Sequence, residues 1–276
     1  MVLLLVMTVA LGIGLSVITR TLTDVSTSTK VEQSSRAFSA AEAGIEQALK
    51  QNYSPVIFPN QSQATVNPPV ELPLAGQGLE YPPVGKEETA HFWLANPNSP
   101  DNPPAAYYTA PSVDLYWGAP GLGGRDQAAI EVTLTHLAGG IFQSKKFFYD
   151  PVPGGIPPGR QENGFSDPAA IAGDGCLGYT ITTSFGPNRN FFCRVNISFS
   201  GLGAPMILRA RLLYTGISQP IALMPVGGAS LPPQAEIYTS IGTSGSTQRT
   251  IQLFSLKKVV PFYMDYAIFS AGPINK

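Results

Sequence analysis

Residues 1–54 read MVLLLVMTVALGIGLSVITRTLTDVSTSTKVEQSSRAFSAAEAGIEQALKQNYS, and they decide the fold. No proline interrupts them, the first being Pro55, so nothing forces a helix to stop once it has begun. Met1 to Thr19 carries no charged side chain. That run, at about 1.5 Å per residue, makes roughly 28 Å of helix, close to the hydrocarbon thickness of a bilayer. A cleavable secretory signal opens on Lys or Arg and closes on a small-residue site. Nothing basic precedes this run: either a basic leader has been removed from it or the start is incomplete, and removal is the favoured expectation.

Beyond Arg20 the helix pattern continues but changes character. Val25, Phe38, Ala41, Ile45, Ala48 and Leu49 form an apolar stripe, while Arg36, Glu42, Glu46 and Lys50 lie mostly elsewhere. Glu46 and Lys50 stand in the favourable i,i+4 order. Asn52 and Ser54-Pro55 mark the end. The reading is a helical region over 1–53 holding one helix of roughly 50 residues, about 75 Å long. Its weak points are Gly12, Gly14 and the Thr/Ser-rich stretch from Thr19 to Thr29. A helix apolar all round at one end and amphipathic at the other needs two environments. The amphipathic half suits a folded head; the apolar half needs lipid or the same half of sibling helices. Val2, Leu3, Leu4, Leu5, Val6, Val9, Leu11, Ile13, Leu15, Val17 and Ile18 are the candidate core of such a bundle.

The apolar start Met1-Val2-Leu3-Leu4-Leu5-Val6 and the phrase from Arg36 to Leu49, RAFSAAEAGIEQAL, resemble the type IV pilin superfamily. The resemblance covers about the first 50 residues and is only architectural beyond them. It implies a prepilin peptidase that cuts after a glycine, N-methylation of Met1, storage in the inner or cytoplasmic membrane, and assembly by pilus machinery into an extracellular filament. Most major pilins carry Glu at the position that is Leu5 here, and the nearest acid is Asp24. Lack of that Glu is typical of minor pilins and of tip pseudopilins. A head without a specialised binding signature favours a major subunit, so both roles stay open.

From Tyr53 the pattern shifts to short elements. Gly (28) and Pro (26) approach a fifth of the 276 residues, which fits many turns and argues against an all-helical body. Pro-rich loops are expected over 55–83, 97–111 and 151–168. Strands are expected at Val113–Trp117, Ala129–His136, Ile141–Tyr149, Phe191–Phe199, Met206–Tyr214, Ala235–Ile241, Thr247–Phe254 and Pro261–Phe269. Ala138-Gly139-Gly140 and Gly242 to Ser246 read as hairpin turns. The class is α+β, with a boundary expected near Pro151–Gly175 dividing a first head region (54–150) from a second (151–276). Cys176 and Cys193, the only cysteines, are expected to form one bridge rather than remain free thiols. The bridge would join Tyr179–Thr183 to Phe191-Phe192 as a hairpin.

Chemistry is thin. A net charge of -1 without a basic run removes the electrostatic footprint of a nucleic-acid binder. The only histidines are His91 and His136; His136, with no ligand-spaced partner, reads as a surface or turn residue. Neither G-x-S-x-G nor P-loop nor EF-hand patterns occur. Asp167 and Asp174 read as solvated turn acids. No catalytic residue, metal ligand or cofactor is nominated, and the chain is expected not to be an enzyme. Of the N-x-S acceptors Asn52, Asn60 and Asn196, only Asn60 is kept as a glycosylation candidate. The aromatics Phe92, Trp93, Tyr107, Tyr108, Tyr116 and Trp117 read as core. Two functions follow: a subunit polymerising with copies of itself, or a membrane-anchored surface domain that binds a partner and does not polymerise.

Overall fold

The computed structural model describes residues 2–122, 126–151, 163–171 and 173–257, and within the first ten residues only the Met7 side chain. In chain order the elements are helix α1 (Val2–Leu49) and strands β1 (Val56–Ile57), β2 (Ser62–Leu72), β3 (Leu79–Val84), β4 (Thr89–Trp93), β5 (Ser112–Trp117), β6 (Ala129–Ala138), β7 (Ile141–Tyr149), β8 (Tyr179–Thr183), β9 (Gly186–Phe191), β10 (Cys193–Ser198), β11 (Ala204–Leu213), β12 (Gln219–Pro225), β13 (Ala235–Ser244) and β14 (Thr247–Leu256). One long helix is followed by a body of antiparallel sheets, so the α+β expectation holds. Met1 and the strand expected at Pro261–Phe269 lie outside the described residues.

α1 runs unbroken through Gly12, Gly14 and the Thr/Ser-rich stretch. Its end is set by main-chain capping and not by Pro55. Gln51 adopts a left-handed φ of 60°. Its N–H donates to Ala48 O at 2.9 Å, and the Asn52 N–H donates to Gln47 O at 3.1 Å. These are the two bonds of a Schellman motif. The Asn52 carboxamide then accepts from the Ser54 N–H at 3.1 Å, turning the chain out of the helix. The Glu46–Lys50 bridge does not form; one between Glu32 and Arg36 does.

The chain divides into two compact units, Met1–Val70 with Ile237–Ser255, and Glu71–Glu236 with Leu256–Lys276. The boundary expected near Pro151–Gly175 is therefore corrected. Strands from before and after it interleave in two sheets, ordered β10-β5-β12-β3 and β4-β11-β6-β7, which no cut there respects. Much of that segment, 152–162 and 172, lies outside the described residues.

The first unit holds α1 and the sheet β1-β2-β13-β14. The second holds the other two four-stranded sheets and the β8–β9 hairpin. Most of its large fully buried side chains come from the two sheets: Leu79, Leu115, Trp117, Ile197 and Ile221 from one, Phe92, Ile130, Leu134, Leu208 and Leu212 from the other. Tyr81 of β3 meets Phe92 of β4 edge-on at 5.1 Å, and the Trp117 indole donates to Ala128 O at 2.9 Å. The β8–β9 hairpin lays Tyr179 and Phe191 on Tyr116 of β5, at 5.8 and 5.9 Å between rings, and the Cys176–Cys193 bridge spans it. The expectation of core aromatics holds for Phe92, Tyr108, Tyr116 and Trp117; Trp93 is half-buried and Tyr107 exposed.

The region 55–83, expected as loop, contains β2 and β3 despite Pro68, Pro69, Pro82 and Pro83. Proline lacks the ladder N–H and survives in strands only at edges or bulges. β3 is the edge of its sheet, and β2 is flanked on one side only by the two-residue β1, which pairs with Gln63 and Ala64. Pro205 and Pro220 sit beside register shifts in β11 and β12.

Candidate functional site

α1 is the candidate site, and it has two halves. In the docked half, Ala37, Ala40, Ala41, Gly44, Ile45 and Ala48 are buried. The expected stripe is thus corrected: Ala41, Ile45 and Ala48 belong to it, but Val25, Phe38 and Leu49 are exposed. The reason is the closeness of two backbones. A Cβ built on Gly242 of β13 would lie 2.6 Å from Ala41 N and closer still to the Ala37 carbonyl oxygen. A Cβ on Gly44 would lie 3.1 Å from both Ala64 Cβ and Val66 Cγ2 of β2, and would collide with the Ser240 hydroxyl. Only a face of Ala and Gly allows so close an approach. Arg249 of β14 adds bonds to Ser34 Oγ at 2.9 and 2.6 Å.

The other half is bare. Every residue from Leu11 to Glu32 is exposed, including Leu11, Ile13, Leu15, Val17, Ile18, Leu22, Val25 and Val31, each at least 59% so. These side chains point in all directions around the helix, as the 3.6-residue period requires of neighbours such as Leu15, Val17 and Ile18. The threonines add to this apolar character. Thr19, Thr21, Thr23 and Thr29 donate their hydroxyls to the carbonyls four residues back, Leu15, Val17, Thr19 and Val25, at 2.8–2.9 Å. Each hydroxyl is thereby satisfied within the helix. Among the described residues no helix is long and apolar enough to cross a membrane. Of the expected filament-core residues, Leu11, Ile13, Leu15, Val17 and Ile18 are exposed, whereas the side chains of Val2, Leu3, Leu4, Leu5, Val6 and Val9, like the whole of Met1, lie outside the described set.

Elsewhere polar groups are tied into the fold. Glu80, 1% exposed, accepts from Thr183 Oγ1 at 2.5 Å and from Arg189 at 2.6–3.1 Å. Arg194 binds Asp114 at 2.9 Å, and the Asn196 amide bridges Asp114 (2.7 Å) and Ser112 (3.1 Å). Asp174 accepts from the Asn196 N–H at 3.0 Å. It is no solvated turn acid: burial raises its pKa, against the opposing pull of that hydrogen bond and of Arg194. His136 is buried, with Nδ1 accepting from the Gly203 N–H at 3.3 Å. It sits inside the β6–β11 ladder, opposite Pro205, which overturns the surface reading. His91 is buried too, its main chain bonded to the Tyr81 hydroxyl at 2.5 and 3.0 Å. Burial first, and then the Arg209 charge, push its pKa down to about 4. Asn60 is exposed, but its carboxamide accepts from the N–H and hydroxyl of Ser62, at 3.1 and 2.6 Å, and Ser62 is buried. The acceptor motif is therefore folded in on itself. Among the described residues no group of three His, Cys, Asp or Glu is placed to hold a metal ion.

The hydrophobic face of Ala and Gly was readable in principle, since Ala37, Ala41, Gly44 and Ala48 follow a three- and four-residue spacing. Weighting the stripe by apolar size favoured Phe38 and Leu49 instead. Compared with family models, curated proteins and solved structures, the chain matches none.

Proposed function

We propose that this chain is a structural subunit of an extracellular, type IV pilus-like filament, held together by its N-terminal helix. The observation that supports this reading is the helix bare on every side from Leu11 to Glu32. Burying one Leu, Ile or Val side chain stabilises by roughly 1.5–3 kcal/mol. Eight such side chains on one helix, with threonine hydroxyls already satisfied, make a strong drive toward cover. A helix amphipathic in water would bury one stripe against its own head; this half has no stripe to spare. Copies of the same helix supply cover on all sides at once, and a head-to-tail contact of that kind repeats without closing.

Before assembly the same segment would rest in the membrane. The support for that step is the sequence, Met1 to Thr19 without a charge. Prepilin peptidase and the assembly machinery would be its partners, and Met1 the methylated residue. Heads tile the outside, where the Cys176–Cys193 bridge suits an oxidising environment.

The test is electron microscopy of material sheared from producing cells, with its peptides read by mass spectrometry. Thin helical filaments built of this chain support the reading, and its abundance along them separates a major subunit from a tip one. A chain found only as a monomer in the membrane fraction refutes polymerisation and leaves the anchored surface-binding domain in its place.

A further inference from the structure

From Met1 to Thr29 the sequence holds two charged side chains, Arg20 and Asp24. Both lie in the bare half of α1 and both are exposed. They stand four residues apart on one face, but in the order that is the weaker one for an intrahelical pair. Among the described residues neither makes an ion pair, whereas Glu32 and Arg36 on the same helix do. Of the residues three or four positions from them on the helix, Val17 is apolar and Ser16, Thr21, Thr23, Thr27 and Ser28 carry only hydroxyls; all are exposed and none is charged. Packing this segment against copies of itself takes both charges out of water. A charge removed from water without a partner is strongly destabilising, while a matched pair is tolerated and fixes register.

We infer that Arg20 of one copy pairs with Asp24 of the next, and that this pair sets the axial register between neighbouring helices. The inference rests on the filament reading. In parallel helices a stagger of four residues, about 6 Å, brings one Arg20 level with its neighbour's Asp24. The contact is heterologous: each copy gives its arginine to one neighbour and its aspartate to another. Every charge is then matched except at the two ends of the filament. The occupant of this face is accordingly a second copy of the chain, selected by charge complementarity in an otherwise uncharged segment. Lys30 is the competing cation, six residues from Asp24, but it lies at the border of the half where charges recur and Glu32 already holds Arg36.

The test is a charge swap. Arg20→Asp and Asp24→Arg should each lower the yield of sheared filaments about ten-fold or more, and the double variant should restore it to within about two-fold of the parent. Intact Cys176–Cys193 bridges and an unchanged amount of membrane-held chain show that each variant folds. Where a single variant is not recovered, cysteine cross-linking decides. Chains carrying Arg20→Cys, co-expressed in equal amount with chains carrying Asp24→Cys and treated with a short bis-maleimide, should give mixed dimers well beyond the about two-fold excess over either homodimer that random contact yields. Single variants that assemble like the parent overturn the pairing. So does a double variant no better than the singles, or Asp24→Arg rescued by Lys30→Glu instead of Arg20→Asp. In each of these cases parent filaments are still present, so the filament reading stands. Absence of filaments from the parent chain would instead remove that reading and the pairing with it.

Discussion

Gly242→Ala should loosen the helix from its sheet, and the size of the effect can be worked from the geometry. The new methyl would lie 2.6 Å from Ala41 N and nearer to the Ala37 carbonyl oxygen. Ordinary carbon contacts begin at about 3.5 Å, so β13 and α1 must part by about 1 Å to clear Ala41 N and by more than that to clear the Ala37 carbonyl oxygen. The opposing atoms are main chain, which no rotamer change can move. Overpacking of this kind costs about 1–3 kcal/mol, and the upper end applies because Ala37, Ala40 and Ala41 lose contact together. At about 2–4 °C per kcal/mol for a chain of this size, the melting temperature should fall by about 6–12 °C. Circular dichroism melts of the full chain in mild detergent would read it. Gly44→Ala is the contrast, because its worst neighbour is a side chain, the Ser240 hydroxyl. Among the described residues that hydroxyl has no hydrogen-bond partner, so Ser240→Ala alone should be neutral or stabilising. Combined with Gly44→Ala it should recover most of the loss. No such rescue is open to Gly242→Ala, and Ala37→Gly should leave it unchanged. A Gly242→Ala chain melting within about 1 °C of the parent would refute the close-approach reasoning.

Further predictions concern the cap, the histidine and the bridge. Gln51→Gly should stabilise by about 0.5–1 kcal/mol, because a left-handed residue with a Cβ is strained and Gly is not; urea denaturation measures it, and destabilisation would contradict the Schellman assignment. His91 is held neutral, with its pKa down from 6.5 to about 4. Above pH 6.5 neither state binds its proton and the full stability is present. As pH falls from 6.5 to 4 the unfolded chain takes the proton first, so about 3 kcal/mol is lost over that window. His91→Phe should flatten this part of the stability–pH curve, and an unchanged slope would place the titration elsewhere. Replacing Cys176 and Cys193 by Ser opens a loop with a sequence separation of 17, which should cost about 3 kcal/mol; equal denaturation midpoints with and without reductant would contradict a stabilising bridge.

Much of this was legible in residues 1–54, because a helix is a local structure and the absence of Pro and the continuity of its pattern are local facts. The β6–β7 hairpin was legible for the same reason. Gly139 and Gly140 both take positive φ, 58° and 79°, as a two-residue turn requires, and the pairing runs from Ala138–Ile141 to Ile130–Tyr149. Partnerships across sequence were not legible. β5 lies between β10 and β12, both far downstream, and no local pattern announces such neighbours. Pro68-Pro69 and Pro82-Pro83 hid β2 and β3, because whether proline is tolerated depends on being at an edge, a property of the finished sheet. His136 alternates correctly with Ile130, Val132 and Leu134 on the buried side of β6, so the period placed it inside while its residue type argued for the surface. In the candidate site, apolar character all round was legible. The small-residue face was present in the spacing of Ala37, Ala41, Gly44 and Ala48, but nothing local ranked it above Phe38 and Leu49, since that choice answers to Gly242 on a strand about two hundred residues away.

The central claim is that residues 11–32 of α1 are covered by copies of the same helix. Helical reconstruction of sheared filaments by electron cryomicroscopy tests it most directly. The account predicts α-helical density at the filament centre, with Leu11 to Glu32 of each copy contacting only other copies and the sheets outside. A reconstruction that leaves this segment on the surface, or covers it with a different protein, would contradict it.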